Sequence, residues 1–371
     1  MENKKYIICL FAVICICFLL IGYFNYEKVI KFFDEKEWEF AESFATLKIE
    51  NISQVDGGKP LLILTNNKLE LYDNAAKSKY VKEMVKTGLI TNSCEDYLVL
   101  VTKDTNEIYL FKDTELLWNN VFNWNILNVS VNKNGYVTVI YSQGGYKSSI
   151  KIFKPTGEEL FTTYLASTYA LDVEMSNDNK TLYIAEIDTE GIKIKSNIKI
   201  IEVTNIETST NDKPKVQTVL VGTDELITDI EYAIDKLIVL KDTGIIAIDK
   251  SRNVEELGNF EVKNMLFANI SGLKYPIAIE KVATGIFTNE TLLKIFKEEI
   301  VEVKLEKTPQ SVETSNNIIA LNLGDEIIFF NINGKVQKRY ELENQLISIK
   351  LYDKGNVAAL IFRDRVELVK I

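Results

Sequence analysis

A short apolar run, a polar corner and a second, alternating run recur along the chain. "LLILTNNKLELY" begins at Leu61, "YLVLVTKDTNEIYLF" at Tyr97, "YVTVIYSQGGYKSSIKIF" at Tyr136 and "LYIAEIDTEGIKIKSNIKIIEV" at Leu182. "LIVLKDTGIIAI" at Leu237, "IIALNLGDEIIFF" at Ile318 and "VAALIFRDRVELV" at Val357 continue the series, and a weaker copy starts at Pro276. Each reads as a buried strand, a turn and a second strand of a hairpin. The spacing averages about 42 residues, the period of four-stranded propeller blades. The fold class expected is therefore all-β, a β-propeller of four-stranded antiparallel blades, eight in number. Seven blades follow if the Pro276 copy is something else, and a pair of separate β domains is a further alternative.

The clearest blade predicts strands at 126–132, 136–142, 148–153 and 158–164, separated by corners at Lys133-Asn134-Gly135 and Lys154-Pro155-Thr156-Gly157. The last repeat supplies only three strands. Residues 45–50, ahead of the first repeat, are expected to provide its outer strand and close the ring, removing the long unpaired edges.

Residues 6–24, "YIICLFAVICICFLLIGYF", contain no charge and would span roughly 28 Å as a helix at about 1.5 Å per residue. Lys4 and Lys5 precede them, and Tyr6, Tyr23, Phe24 and Tyr26 sit where interfacial aromatics belong. The expected order is a cytoplasmic tail (1–5), one transmembrane anchor (6–24), a juxtamembrane helix or stalk (25–43) and an extracytoplasmic propeller (44–371). Lys28 and Lys31 partly offset the charge bias that sets this orientation. No small-residue cleavage site follows the apolar run, and Ile14 and Ile16 stand where a lipoprotein cysteine would need small neighbours. A retained single-pass anchor in the cell membrane is the reading these residues favour.

Composition excludes several kinds of chemistry. The chain has no histidine, which removes histidine-dependent nucleophilic catalysis and the commonest metal ligand together. Cys9, Cys15 and Cys17 lie in the apolar segment, leaving Cys94 alone in the body. A net charge of -10 repels nucleic-acid phosphates, so no nucleic-acid partner is expected.

"SNDNKTLYIA" (176–185) resembles a strand corner of WD40-like and TolB-like propellers, and "FKPTGEELF" (153–161) is similar to the outer corner of quinoprotein-like ones. The whole layout, with "NGYVTVIYSQGGYKSSIKIFKPTGEEL" inside it, resembles a clostridial, membrane-anchored β-propeller family of unknown function. That resemblance implies the fold over nearly the entire chain and leaves the activity unspecified.

Gly144-Gly145-Tyr146-Lys147-Ser148-Ser149 is superficially a phosphate loop. A residue separates glycine from lysine, however, and a period-two strand follows where a phosphate loop needs a helix. Gly-Gly between strand runs is a hairpin signal. Glu158-Glu159, Glu255-Glu256 and Glu298-Glu299 point to opposite faces when they lie on strands, so they form no acid-base couple. The corners at 103–106 and 241–244 lack the ligand spacing of a calcium loop. No catalytic residue, cofactor or metal ligand is expected.

Loops longer than the architecture needs are the places to look for binding, and the fourth repeat carries two, at 188–197 and 204–215. The loop between second and third strands shares a face with the connection to the next blade. Trp124, Tyr146 and Tyr169 are therefore candidates for one binding rim. A non-enzymatic scaffold for an envelope protein or polymer is the expected role. A sensing or assembly subunit of a membrane complex is the alternative, followed by a hydrolase or quinone-linked enzyme.

Overall fold

A computed structural model of the chain describes residues 41–371 except 50, 57–59, 74, 85–87, 204–214, 234, 284–288 and 353–355. Its strands form eight sheets of four antiparallel strands, and in the first seven blades the strands follow one another in sequence order. Blade 1 spans residues 52–83, blade 2 89–121, blade 3 126–165 and blade 4 168–223. Blades 5, 6 and 7 cover 227–259, 265–305 and 311–341. The weak copy at Pro276 supplies the middle strands of blade 6, Ile277–Ala283 and Asn289–Ile295, so the ring has eight blades and not seven.

Alternation within the second strand of each blade explains how the blades join. In Leu61–Thr65, Leu61 and Ile63 pack with Val357, Ala359 and Ile361 of blade 8, whereas Leu62 and Leu64 pack with Leu98 and Leu100 of blade 2. Both faces are buried because each blade lies between two others. This is why the run is continuously apolar, and each such leucine removed from water contributes roughly 1.5–3 kcal/mol. The same arrangement recurs between blades 2 and 3, where Val99, Val101, Ile108 and Leu110 meet Val129, Val131, Val137 and Val139.

Blade 8 combines Ser348–Leu351, Val357–Ile361 and Arg365–Lys370 with the N-terminal strand Ser43–Lys48 on the outside. Thr46 pairs with Glu367 and Leu47 with Val366, and a register shift lies between Ser43 and Ala45. The closing strand thus starts two residues before the expected 45–50. The ladder begins as soon as the edge of Arg365–Lys370 offers it partners, and the Ile49 N–H adds a bond to the Asp364 carbonyl at 3.3 Å. Extended backbone from Ser43 leaves the last residues of the expected amphipathic segment outside any helix.

Among the described residues no helix is long and apolar enough to cross a membrane. The expected tail and anchor, residues 1–24, and the stalk up to residue 40 lie outside the described residues.

Blade 3 follows its expected boundaries closely, with strands Ile126–Val131, Val137–Tyr141, Ser148–Phe153 and Glu159–Leu165. Its first corner closes with Gly135 donating to the Asn132 carbonyl, and its second with Gly157 donating to the Lys154 carbonyl, both at 2.9 Å. In the glycine pair of the middle loop, only Gly145 takes a left-handed conformation, φ 93°. Gly144 keeps ordinary backbone, so the two glycines are not equivalent.

Candidate functional site

Period-two geometry places five side chains of blade 3 on one face. Tyr141 stands opposite Ser149, and Ser149 opposite Tyr164. Two residues along, Lys151 lies on that same face; Phe153, paired with Glu159 after a register shift, completes it. Near the ring axis this face packs on blade 2. Farther out it diverges from the blade 2 outer strand Glu115–Val121, opening a groove of about 450 Å³. Tyr141, Lys151, Phe153, Glu159 and Tyr164 form one wall, and residues 120–124 form the other.

Trp124 sits in the connection from blade 2 to blade 3, and this connection is pinned from both blades. The Phe122 N–H donates to the Asn106 carbonyl at 3.0 Å, and the Ile126 N–H to Asn106 Oδ1 at 3.3 Å. The Ser142 N–H donates to the Asn125 carbonyl at 2.9 Å, tying the connection to the glycine loop of blade 3. The Phe122 ring then lies edge-on to Tyr141 and Phe153, each at a centroid distance of 5.7 Å. Trp124, 45% exposed, is carried by this short, backbone-pinned connection.

Tyr146, at the tip of the glycine loop, stacks on Tyr164 with centroids 4.5 Å apart and planes inclined by 24°. Both tyrosines remain more than 40% exposed, so the pair offers an aromatic surface at the groove. Tyr169 stands apart from this pair, at the start of the blade 4 inner strand Thr168–Met175. The Lys147 ammonium lies 5.1 Å from its ring centroid. Of the three aromatic candidates, Trp124 lines the groove directly, Tyr146 reaches it through Tyr164, and Tyr169 is linked to the same loop through Lys147.

The polar groups of the groove are internally matched. Lys151 Nζ and Glu159 Oε2 lie 2.7 Å apart, and the Thr162 hydroxyl donates to Glu159 Oε1 at 2.7 Å. Burial pushes the Glu159 carboxyl up, but the bonds from Lys151 and Thr162, with the Lys151 charge, outweigh it and hold the group below its usual range. Burial, then the adjacent Tyr164 phenol and Glu159, push the Tyr141 hydroxyl up to about 12. At neutral pH Tyr141 therefore keeps its proton, Glu159 is ionised, and the Lys151–Glu159 pair has no net charge.

Tyr141, Phe153, Lys151 and Tyr164 were not singled out from the sequence, although alternate spacing on three consecutive strands would have placed them together; Glu159, read there as one of a surface carboxylate pair, joins them only through the register shift at Phe153. A second polar feature also has a sequence signal, Asp-x-Glu on the inner strands of two consecutive blades. Asp172 and Glu174 lie on Thr168–Met175, and Asp229 and Glu231 on Ile227–Ala233. Asp172 accepts from Asn128 Nδ2 at 2.9 Å and from the Ile230 N–H at 3.3 Å, and the Ser130 hydroxyl donates to Glu174 at 2.8 Å. Burial and then the Asp229 charge push Asp172 up to about 7. Burial, followed by the charges of Glu231 and Asp172, raises Glu174 well above the usual range. Elsewhere on the inner strands, Lys350 of blade 8 bridges Glu313 of blade 7 at 3.5 Å and Asp56 of blade 1 at 3.6 Å. Among the described residues, no three Asp, Glu or Cys side chains converge as a metal-ligand set.

The other sequence features have structural roles. Glu158 and Glu159 diverge to separate lysines, Lys154 at 3.4 Å and Lys151 at 2.7 Å. The 103–106 corner is a tight turn with Asn106 at φ 51°, and Cys94 packs beside the apolar core shared by blades 2 and 3. In blade 4 the first long loop leaves Ile192 fully exposed and Ile194 45% exposed. Most of the second, 204–215, lies outside the described residues.

The chain is similar to the C-terminal WD40 domain of Sif2, with a TM-score of 0.57 and 15% identity over 90% of this chain and 99% of that one. BamB from Moraxella catarrhalis matches with a TM-score of 0.49 and 10% identity, covering 89% of this chain and all of that one. No curated protein matches it in sequence. The model of one family, described as a family of unknown function (DUF5711), matches residues 36–371. Eight four-stranded blades closed by an N-terminal strand are thus the fold of a member of the DUF5711 family, to which this chain belongs.

Proposed function

We propose that the chain is a non-enzymatic binding module, held at the cell membrane by residues 6–24, whose propeller stands outside the cytoplasm and engages an envelope protein or polymer. The observation that carries this reading is the groove between blades 2 and 3. It combines solvent-exposed aromatic rings with fixed polar groups on a backbone pinned from both sides. Such convergence of apolar surface with a few placed polar groups is what ligand sites share. A charge of -10 opposes a nucleic-acid ligand, and the absence of histidine argues against common hydrolytic machinery.

Affinity capture with the full-length chain from detergent-solubilised native membranes tests the reading, using a Trp124→Ala, Tyr164→Ala double variant as control. An envelope component is expected with the parent chain and is lost with the variant. Equal recovery by both chains, or recovery of cytosolic proteins alone, would overturn it. Protease added to intact cells is expected to degrade the propeller; full protection would contradict the proposed orientation.

A further inference from the structure

We propose that the groove between blades 2 and 3 is a saccharide-binding site that accepts a short run of a neutral hexose or N-acetylhexosamine chain. This rests on the binding-module reading and narrows it from an envelope component to a glycan.

Three properties of the groove select that chemistry. Its apolar surfaces are chiefly aromatic rings, Trp124 on the connection and Tyr164 backed by Tyr146 on the blade, with Val121 the one exposed aliphatic side chain among the described lining residues. The C–H face of a pyranose ring packs against such a surface, whereas an acyl chain would find no continuous aliphatic floor. Donors and acceptors, furthermore, lie side by side. Asn120 and Asn123 stand on one wall, the Lys151–Glu159 pair on the other, and Gln143 at the loop end. A vicinal pair of hydroxyls, each able to donate and accept, matches amide and Lys–Glu neighbours of this kind. A peptide backbone offers only one donor and one acceptor per residue.

Charge gives the third property. Among the described residues, Lys151 is the one lysine on the groove walls, and Glu159 neutralises it at 2.7 Å. A phosphorylated or strongly acidic ligand would therefore have to break an existing ion pair to gain a new one. A neutral ligand leaves the pair intact and uses its free hydrogen-bonding positions.

The groove volume, about 450 Å³, is in the range of small-ligand sites, roughly 300–1,000 Å³. Pinning of residues 122–126 by Asn106 and Ser142 means that little ordering accompanies binding.

The test uses the full-length chain in detergent, titrated with β-1,4-linked tetramers of N-acetylglucosamine and of glucose while tryptophan fluorescence and binding heat are followed. A proline-rich decapeptide is the competing probe, because polyproline segments also dock on aromatic grooves. Saturable binding of at least one tetramer is expected, with a change in the Trp124 emission. Trp124→Ala and Tyr164→Ala should each weaken it about tenfold or more through loss of ring stacking and buried area. Trp124→Phe, which keeps a ring, should retain most of the affinity and also controls for folding. Binding of neither tetramer, or tetramer binding unaffected by both alanine variants, would overturn the saccharide proposal. If the peptide alone binds and the same variants abolish it, the binding-module reading stands and only the ligand class is wrong. If capture from membranes also fails to depend on Trp124 and Tyr164, the broader reading falls with it.

Discussion

Replacing Asp172 by asparagine removes a titrating group from the inner strands and should change how stability depends on pH. Asp172 rises from 3.8 in its ordinary setting to about 7 in the fold, first through burial and then through the charge of Asp229. Below pH 4 it is protonated in both folded and unfolded chains. As pH rises toward 7, the unfolded chain releases this proton while the folded chain retains it, so stability falls until the folded group also ionises. One group contributes at most about 1.4 kcal/mol per pH unit, hence an upper bound of about 3 kcal/mol between pH 5 and 8. Glu174, also raised by burial and by the charges of Glu231 and Asp172, adds to the decline. The window is free of histidine titration because the chain contains none. Carboxylates held low by their partners, such as Glu107 and Glu225, act below it. Asparagine keeps an N–H to offer Asp229, losing mainly the 3.3 Å bond from Ile230. Urea denaturation followed by circular dichroism should therefore show the parent losing stability from pH 5 to 8, and Asp172→Asn losing clearly less. A parent whose stability rises over that interval, or a variant with an unchanged slope, would contradict the raised Asp172 titration.

Two further perturbations probe the backbone. Leu47→Pro places a residue without an N–H in the closing strand, beside Val366, and should lower stability by about 3 kcal/mol or prevent ring closure; unchanged urea unfolding would contradict the role of this strand. Gly145→Ala should cost about 1 kcal/mol because its φ is 93°, whereas Gly144→Ala, with open space around its Cβ and ordinary backbone, should be neutral within about 0.5 kcal/mol. Equal costs in thermal unfolding would show that the loop conformation is not the one described.

The architecture was legible because a blade buried on both sides needs an uninterrupted apolar strand, and "LLIL" or "VTVIY" can satisfy that demand in few other ways. Boundaries slipped where a ladder, not a pattern, decides them. The closing strand begins at Ser43 because Arg365–Lys370 has an open edge there. The candidate site was half legible. Loop aromatics such as Trp124 and Tyr146 stand out against polar neighbours, but Tyr141, Phe153 and Tyr164 look like ordinary strand residues. Their place at the groove depends on where blade 3 parts from blade 2, which no local spacing records. The Asp-x-Glu pairs at 172–174 and 229–231 escaped notice for a related reason. Alternation tells which face they share, while only the closed ring brings Asp172 within reach of Asp229 and the Ile230 N–H.

If the proposed role holds, the groove between blades 2 and 3 is occupied by an envelope ligand in the living cell. A photo-crosslinking amino acid at Val121, 58% exposed on the groove wall, tests it without disturbing Trp124 or Tyr164. In cells making the full-length chain, an irradiation-dependent adduct is expected that carries glycan and disappears in the Trp124→Ala, Tyr164→Ala background. An adduct with cytosolic protein only, or an envelope adduct that persists in that background, would contradict it.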